Sequence, residues 1–171
     1  METTDAPSKV ALLRLQEVQP LCEKAIEQFR KAYSTENDWA IKTVERPARH
    51  VYAWIDSTLF VNIIVSLLKD ITRNQHDHSD ISIQLNQIGN STCRIVVSDC
   101  DNPDLSKCDG PFTSSDIPTH NDILETIEAI ITMHGGYMRA WRNPNSTHYY
   151  FEINLICMSD SERGTYDTYE A

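Results

Sequence analysis

The chain has 171 residues, 40% hydrophobic and 23% charged, which is enough apolar material for an ordered domain with its own core. A formal net charge of −10 disfavours a nucleic-acid partner, because a phosphate backbone would be repelled. The longest apolar run, residues 59–68, is too short to span a bilayer and contains Asn62 and Ser66, so no membrane insertion is expected.

The opening METTDAPSK lacks the basic-then-apolar pattern of a secretory signal. Residues 1–12 are expected to be a flexible segment, 13–157 a domain and 158–171 an acidic flexible tail. From 19 to 33, Leu21, Cys22, Ala25, Ile26, Phe29 and Tyr33 recur at helical spacing, with Pro20 in the first turn where its missing N–H costs little. Residues 39–45 alternate around Trp39 and Ile41 and read as a strand, and 51–55 as a second.

Asp56 or Ser57 then caps the strongest helix, whose apolar face carries Phe60, Ile63, Ile64, Leu67, Leu68 and Ile71. Asn62, Ser66 and Asp70 form a polar stripe on it, with Arg73 one turn on. Taken alone, such a stripe is a solvated face. The QHDHSD segment reads as a loop, and its two histidines as solvent-exposed side chains rather than metal ligands. Residues 81–85 alternate as a half-buried strand, Gly89-Asn90 turns, and 93–98 return as the hairpin partner.

That returning strand, ending IVVS, runs into Asp99, Asp101, Asn102, Pro103 and Asp104, which break the pattern and place a carboxylate at the strand end. The acids do not make a calcium loop, since the sixth residue from Asp99 is Asp104 and the twelfth is Gly110. Cys100 and Cys108 lack the paired spacing of a zinc site. Residues 101–118 are expected to be one long loop of the kind that forms lids. Thr119 to Asp122 resembles a capping box, followed by a helix with Ile123, Leu124, Ile127, Ile130 and Ile131, His134 in its last turn and Gly135-Gly136 ending it. Residues 137–142 and 149–157 read as strands around an Asn-Pro-Asn-Ser turn. The five cysteines form no CxxC pair; Cys22 and Cys157 lie on apolar patterns as buried thiols, which fits a reducing, cytoplasmic setting.

Three pieces of this layout carry a resemblance. D-x-x-x-F-x-x-I-I-x-x-L-L at 56–68, IITMHGGY at 130–137 and FEINL at 151–155 resemble the ATP-binding domain of sensor histidine kinases, which shares its fold with the gyrase and heat-shock chaperone ATPases. The resemblance covers roughly residues 13–156 and implies a two-layer α/β sandwich, a mixed sheet with helices on one face. It implies ATP and magnesium as ligands, and an asparagine on the long helix that ligates the metal. Asp70 stands at that position and Ser66 at an upstream asparagine. Aspartate is a hard oxygen donor that can hold magnesium, although it adds negative charge beside the phosphates.

Asp99 matches the aspartate of the family's D-x-G-x-G motif, which accepts from the adenine amino group; Asp101 and Pro103 occupy its glycine positions. Asn121 and Ile123, with Asp122 between them, occupy the phosphate-holding G-x-G. Side chains crowd a backbone cradle, and an aspartate competes with phosphate for its N–H groups. Asp99, Asp70, Ser66, Asp101 and Asn121 thus outline a vestigial nucleotide pocket with no catalytic residue assigned. No stretch before Gln19 is long enough for a helical hairpin presenting a phosphoacceptor histidine.

The leading expectation is a degenerate histidine-kinase-like domain of two-component or phosphorelay signalling, with ATP and magnesium binding weak or lost. It would act through a protein partner: a kinase, a phosphotransfer protein or a response regulator. The alternative is a divergent but active ATP- and magnesium-binding kinase domain. A third reading is a purely structural module, such as a homodimerisation unit.

Overall fold

The computed structural model describes residues 11–33, 41–44, 50–74, 80–99, 104–117, 121–142, 144, 149–159 and 162–163, with the backbone alone at 42–44, 74 and 121. The first element is a strand, β1 (Arg14–Glu17), ahead of helix α1 (Val18–Tyr33). Next come β2 (Ile41–Val44), β3 (Val51–Ile55), helix α2 (Ser57–Asn74) and the hairpin of β4 (Ile81–Ile88) and β5 (Thr92–Ser98). Strand β6 (Asp109–Phe112), helix α3 (Asn121–Met133), β7 (Tyr137–Arg142) and β8 (Tyr149–Ser159) follow.

The sheet runs β1-β3-β8-β5-β4-β2, with β6 and β7 joined to it through β8. β2 lies parallel to β4 and the other pairings are antiparallel, so the sheet is mixed. β8 is its hub. Along one edge it pairs with β5; along the other it pairs first with β7 and then with β3.

Register decides which face is covered. Ile83, Val97, Phe151 and Ala140 are linked across four strands, as are Leu85, Ile95, Ile153 and Met138. All are buried in one cluster with the apolar stripes of α1, α2 and α3, so the three helices share this face. On α2, Phe60, Ile63, Ile64, Leu67, Leu68 and Ile71 are buried at the spacing the sequence shows. The Lys69 ammonium lies 4.7 Å above the Tyr33 ring and links α2 to α1. Cys22 and Cys157 are buried, and burial pushes their thiols up to about 12 and about 11, far from reactive at neutral pH.

The opposite face carries no helix among the described residues. In register across it run Gln84, Val96, Glu152 and Arg139, and beside them Asn86, Arg94, Asn154 and Tyr137. Glu152 is buried there and satisfied: Trp141 Nε1 donates to it at 2.6 Å and Asn154 Nδ2 at 2.9 Å.

Two expectations are corrected. The chain does not enter the fold through a helix, because β1 precedes α1 and pairs with β3 from Arg14 to Glu17. Nor is 101–118 one long loop. Residues 105–107 and 114–116 form 3₁₀ turns, and β6 pairs with β7. Ile117 is 1% exposed and joins the core, so apolar burial overrides the local turn chemistry. The two histidines of the QHDHSD loop, Trp39 and the start of the 119–122 capping box lie outside the described residues.

Candidate functional site

Asp56 bridges three parts of the chain. Its Oδ1 accepts the Thr58 and Leu59 N–H groups at 3.0 and 3.1 Å, capping α2. Its Oδ2 accepts the Leu12 N–H at 2.9 Å, which fixes the approach to β1. The Leu12 amide, then those of Leu59 and Thr58, hold this carboxyl below the usual carboxylate range. The Asp56 N–H in turn donates to His134 Nε2 at 3.0 Å. His134 Nδ1 faces the Ile130 carbonyl at 2.6 Å, so Nδ1 carries the proton and the imidazole in this arrangement is neutral.

The two glycines after His134 have different reasons to be there. Gly135 has φ of +72°, where glycine is favoured. A Cβ on Gly136 would lie 2.3 Å from the Asn154 carbonyl oxygen of β8, so only a bare Cα allows this approach. HGG therefore fastens the end of α3 to the start of α2 and to β8.

Between α2 and α3 runs a groove of about 440 Å³. Leu59, Ile63, Ile127 and Ile130 give its apolar surface, and Asn62, Ser66, Asp122 and Thr126 its polar one. The structure thus brings Ser66 to the same groove as Asp122 and Ile123. Ser66 Oγ donates to the Asn62 carbonyl at 2.8 Å, so its hydroxyl proton is already committed. Asp70 lies one turn further along α2 and is half-buried. Asp99 is half-buried at the bend after β5, where the buried Ser98 and Ser82 hydroxyls meet at 3.0 Å. Asp70 and Asp99 line neither this groove nor a second cavity of about 500 Å³ between Arg14, Gln16 and the first turn of α2. Asn121 begins α3, and its side chain and all of Asp101 lie outside the described residues.

The segment above α3 is fastened at several points. Ser114 donates through both its N–H and its hydroxyl to Glu128 of α3. Thr113 and Asp116 form a capping box, with the Thr113 N–H 2.8 Å from Asp116 Oδ2. Arg142 of β7 bonds Asp109 of β6 at 3.0 Å. Lys107 pairs with Asp104 at 3.1 Å.

Sequence reasoning found the capping role of Asp56 but missed its tie to His134; a histidine in the last turn ahead of two glycines was the available signal. It also missed the Thr113-Ser-Ser-Asp116 box, which has the recognisable S/T-x-x-acid spacing. Glu128, four residues from Leu124 and three from Ile131 on the apolar side of α3, was a further cue that a partner is held there.

No protein-family model and no curated protein matches the chain. Solved structures do. The chain is similar to the mycobacterial sensor histidine kinase MprB at 14% identity and a TM-score of 0.63, over 86% of this chain and 99% of that one. It is similar to the nucleotide-free catalytic domain of histidine kinase ThkA at 16% identity and a TM-score of 0.59, over 84% and 95%. The structure of ThkA in complex with the response regulator TrrA matches at 15% identity and a TM-score of 0.58, over 88% of this chain and 43% of that one. At such identities the likeness establishes the fold: a mixed α/β sandwich of the histidine kinase ATPase type.

Proposed function

We propose that this chain is a histidine-kinase-like domain of a two-component or phosphorelay system that works by engaging a protein, with nucleotide binding weak or lost. The observation that carries the reading is the start of α3. There Asp122 and Ile123 stand exposed at the groove, where the resemblance calls for bare backbone beside phosphate. An exposed carboxylate at a helix N-terminus satisfies the positive end of the dipole that an anion would otherwise use.

The residues present fit a magnesium–nucleotide group poorly. Asp70 could supply one oxygen, and the described part of the lid offers a single lysine, already paired with Asp104. ThkA's complex with a response regulator supports a partner of the same signalling class, whether kinase, phosphotransfer protein or response regulator.

Thermal melting with and without millimolar ATP–magnesium tests the reading. A ligand at about 100 times its dissociation constant stabilises by about 2.7 kcal/mol, several degrees for a domain of this size. The expected result is no shift. A shift of several degrees that Asp99→Asn abolishes would overturn it in favour of the alternative, a divergent domain that still holds nucleotide, and kinase assays would then decide whether it is active.

A further inference from the structure

We propose that the cavity between β1 and the first turns of α2 binds a small organic acid: one carboxylate, a hydroxyl or ammonium group beside it, and a short carbon body. The observation behind it is an inverted strand. Arg14 and Gln16 pair with Ile55 and Ala53, whose side chains are buried on the helix-covered face. Residues opposite one another in an antiparallel pair share a face, so β1 turns its two polar side chains inward and Leu15 outward, beside Trp54. Strands that pack a core do the reverse, and a broken pattern of this kind is expected at functional positions. The space that Arg14 and Gln16 face is a cavity of about 500 Å³, within the size range of small-molecule sites. Ser57, Thr58 and Asn62 of α2 line its other side, and Leu12, Ile55 and Leu59 give its apolar surface.

The polar groups around the cavity suit the parts of such an acid. Among the described residues, the side chains of Arg14, Gln16, Ser57 and Thr58 are committed to no hydrogen bond or ion pair. The Arg14 guanidinium takes a planar carboxylate through two parallel N–H bonds. The Ser57 and Thr58 hydroxyls and the Gln16 and Asn62 amides offer donors and acceptors to a hydroxyl or ammonium group. Asp56 also lines the cavity, and its negative charge favours an ammonium and opposes a doubly charged phosphate. The amides that open α2 are not the attraction, since those of Thr58 and Leu59 already donate to Asp56. This inference is independent of whether nucleotide binds. Leu59 and Asn62 also border the α2–α3 groove, but Arg14 and Gln16 do not.

The test titrates the ¹⁵N-labelled full chain with lactate and with L-leucine, using acetate as the bare carboxylate and inorganic phosphate as the dianion. The reporters are the Gln16 side-chain amide and the backbone amides of Arg14 and Gln16. One or both acids should shift them saturably, with half-saturation below about 10 mM, and acetate should bind about tenfold more weakly for want of a second polar group. Arg14→Gln should weaken binding about tenfold or more. That variant keeps the strand, because β1 pairs with β3 through its backbone, and an unmoved Leu12 amide would show the tie to Asp56 intact. Asn62→Ala, at an exposed position of α2, should weaken binding severalfold without harm to the helix. If neither acid saturates the reporters up to about 50 mM, the proposal is overturned. It is overturned too if binding survives Arg14→Gln, or if phosphate saturates at least as tightly as the acids, since the cavity would then select charge and not a carboxylate.

Discussion

Asp56 accepts from three amides, and its removal should be felt at each. Asp56→Ala should cost about 1 kcal/mol at pH 7, read from urea unfolding. The sign of its pH dependence follows from the direction of its shift. The folded carboxyl lies below its unfolded value near 3.9, so its contribution is complete above about pH 5 and is lost as pH falls through the folded pKa. The stability gap between wild type and Asp56→Ala should therefore narrow from pH 7 to pH 3. His134→Phe leaves the Asp56 N–H without its acceptor and should destabilise by about 1–3 kcal/mol. The neighbouring glycines should separate by mechanism. Gly135→Ala meets only the Ile156 side chain at an ordinary contact distance of 3.8 Å, but at an unfavourable φ, and should cost about 1 kcal/mol, whereas Gly136→Ala collides with β8 and should cost up to about 3.

Among the elements, the segment above α3 is a staple rather than a free lid. Glu128→Ala removes the acceptor for Ser114 and should speed hydrogen exchange at the Ser114 and Ile117 amides while β4 and β5 keep their protection. Protection unchanged at both amides would show that Ile117 burial alone holds the segment. The sequence was legible where burial follows a period: the face of α2, the β4–β5 hairpin and the run of α3 into Gly135. It was opaque where an element exists only because a neighbour completes it. β1 offers RLQE, with one apolar residue, and is a strand because β3 supplies its partner. β6 offers DGPF, whose glycine and proline belong to turns by propensity, and is held by β7. Of the residues read as a pocket, Ser66 lines a groove together with Asp122 and Ile123. The commitment of the Ser66 hydroxyl and the absence of Asp70 and Asp99 from that groove depend on side-chain direction, which residue spacing does not fix.

On the scale of the whole molecule, the sheet depends on its last strand. β8 separates β5 from both β3 and β7, so none of those three can reach another without it. A chain ending at residue 156 would lack the residues that pair with β3, and should show no cooperative unfolding transition by calorimetry. The pairing of Ala53 with Cys157 closes a loop of roughly one hundred residues, a contact of the kind that slows folding. During translation the ribosome would have delivered both partners of the β4–β5 hairpin long before the strand that joins them to β3. The nascent chain must therefore hold unpaired edges and a half-covered apolar face until β8 has emerged, and its dependence on chaperones should be greatest just before that strand leaves the ribosome.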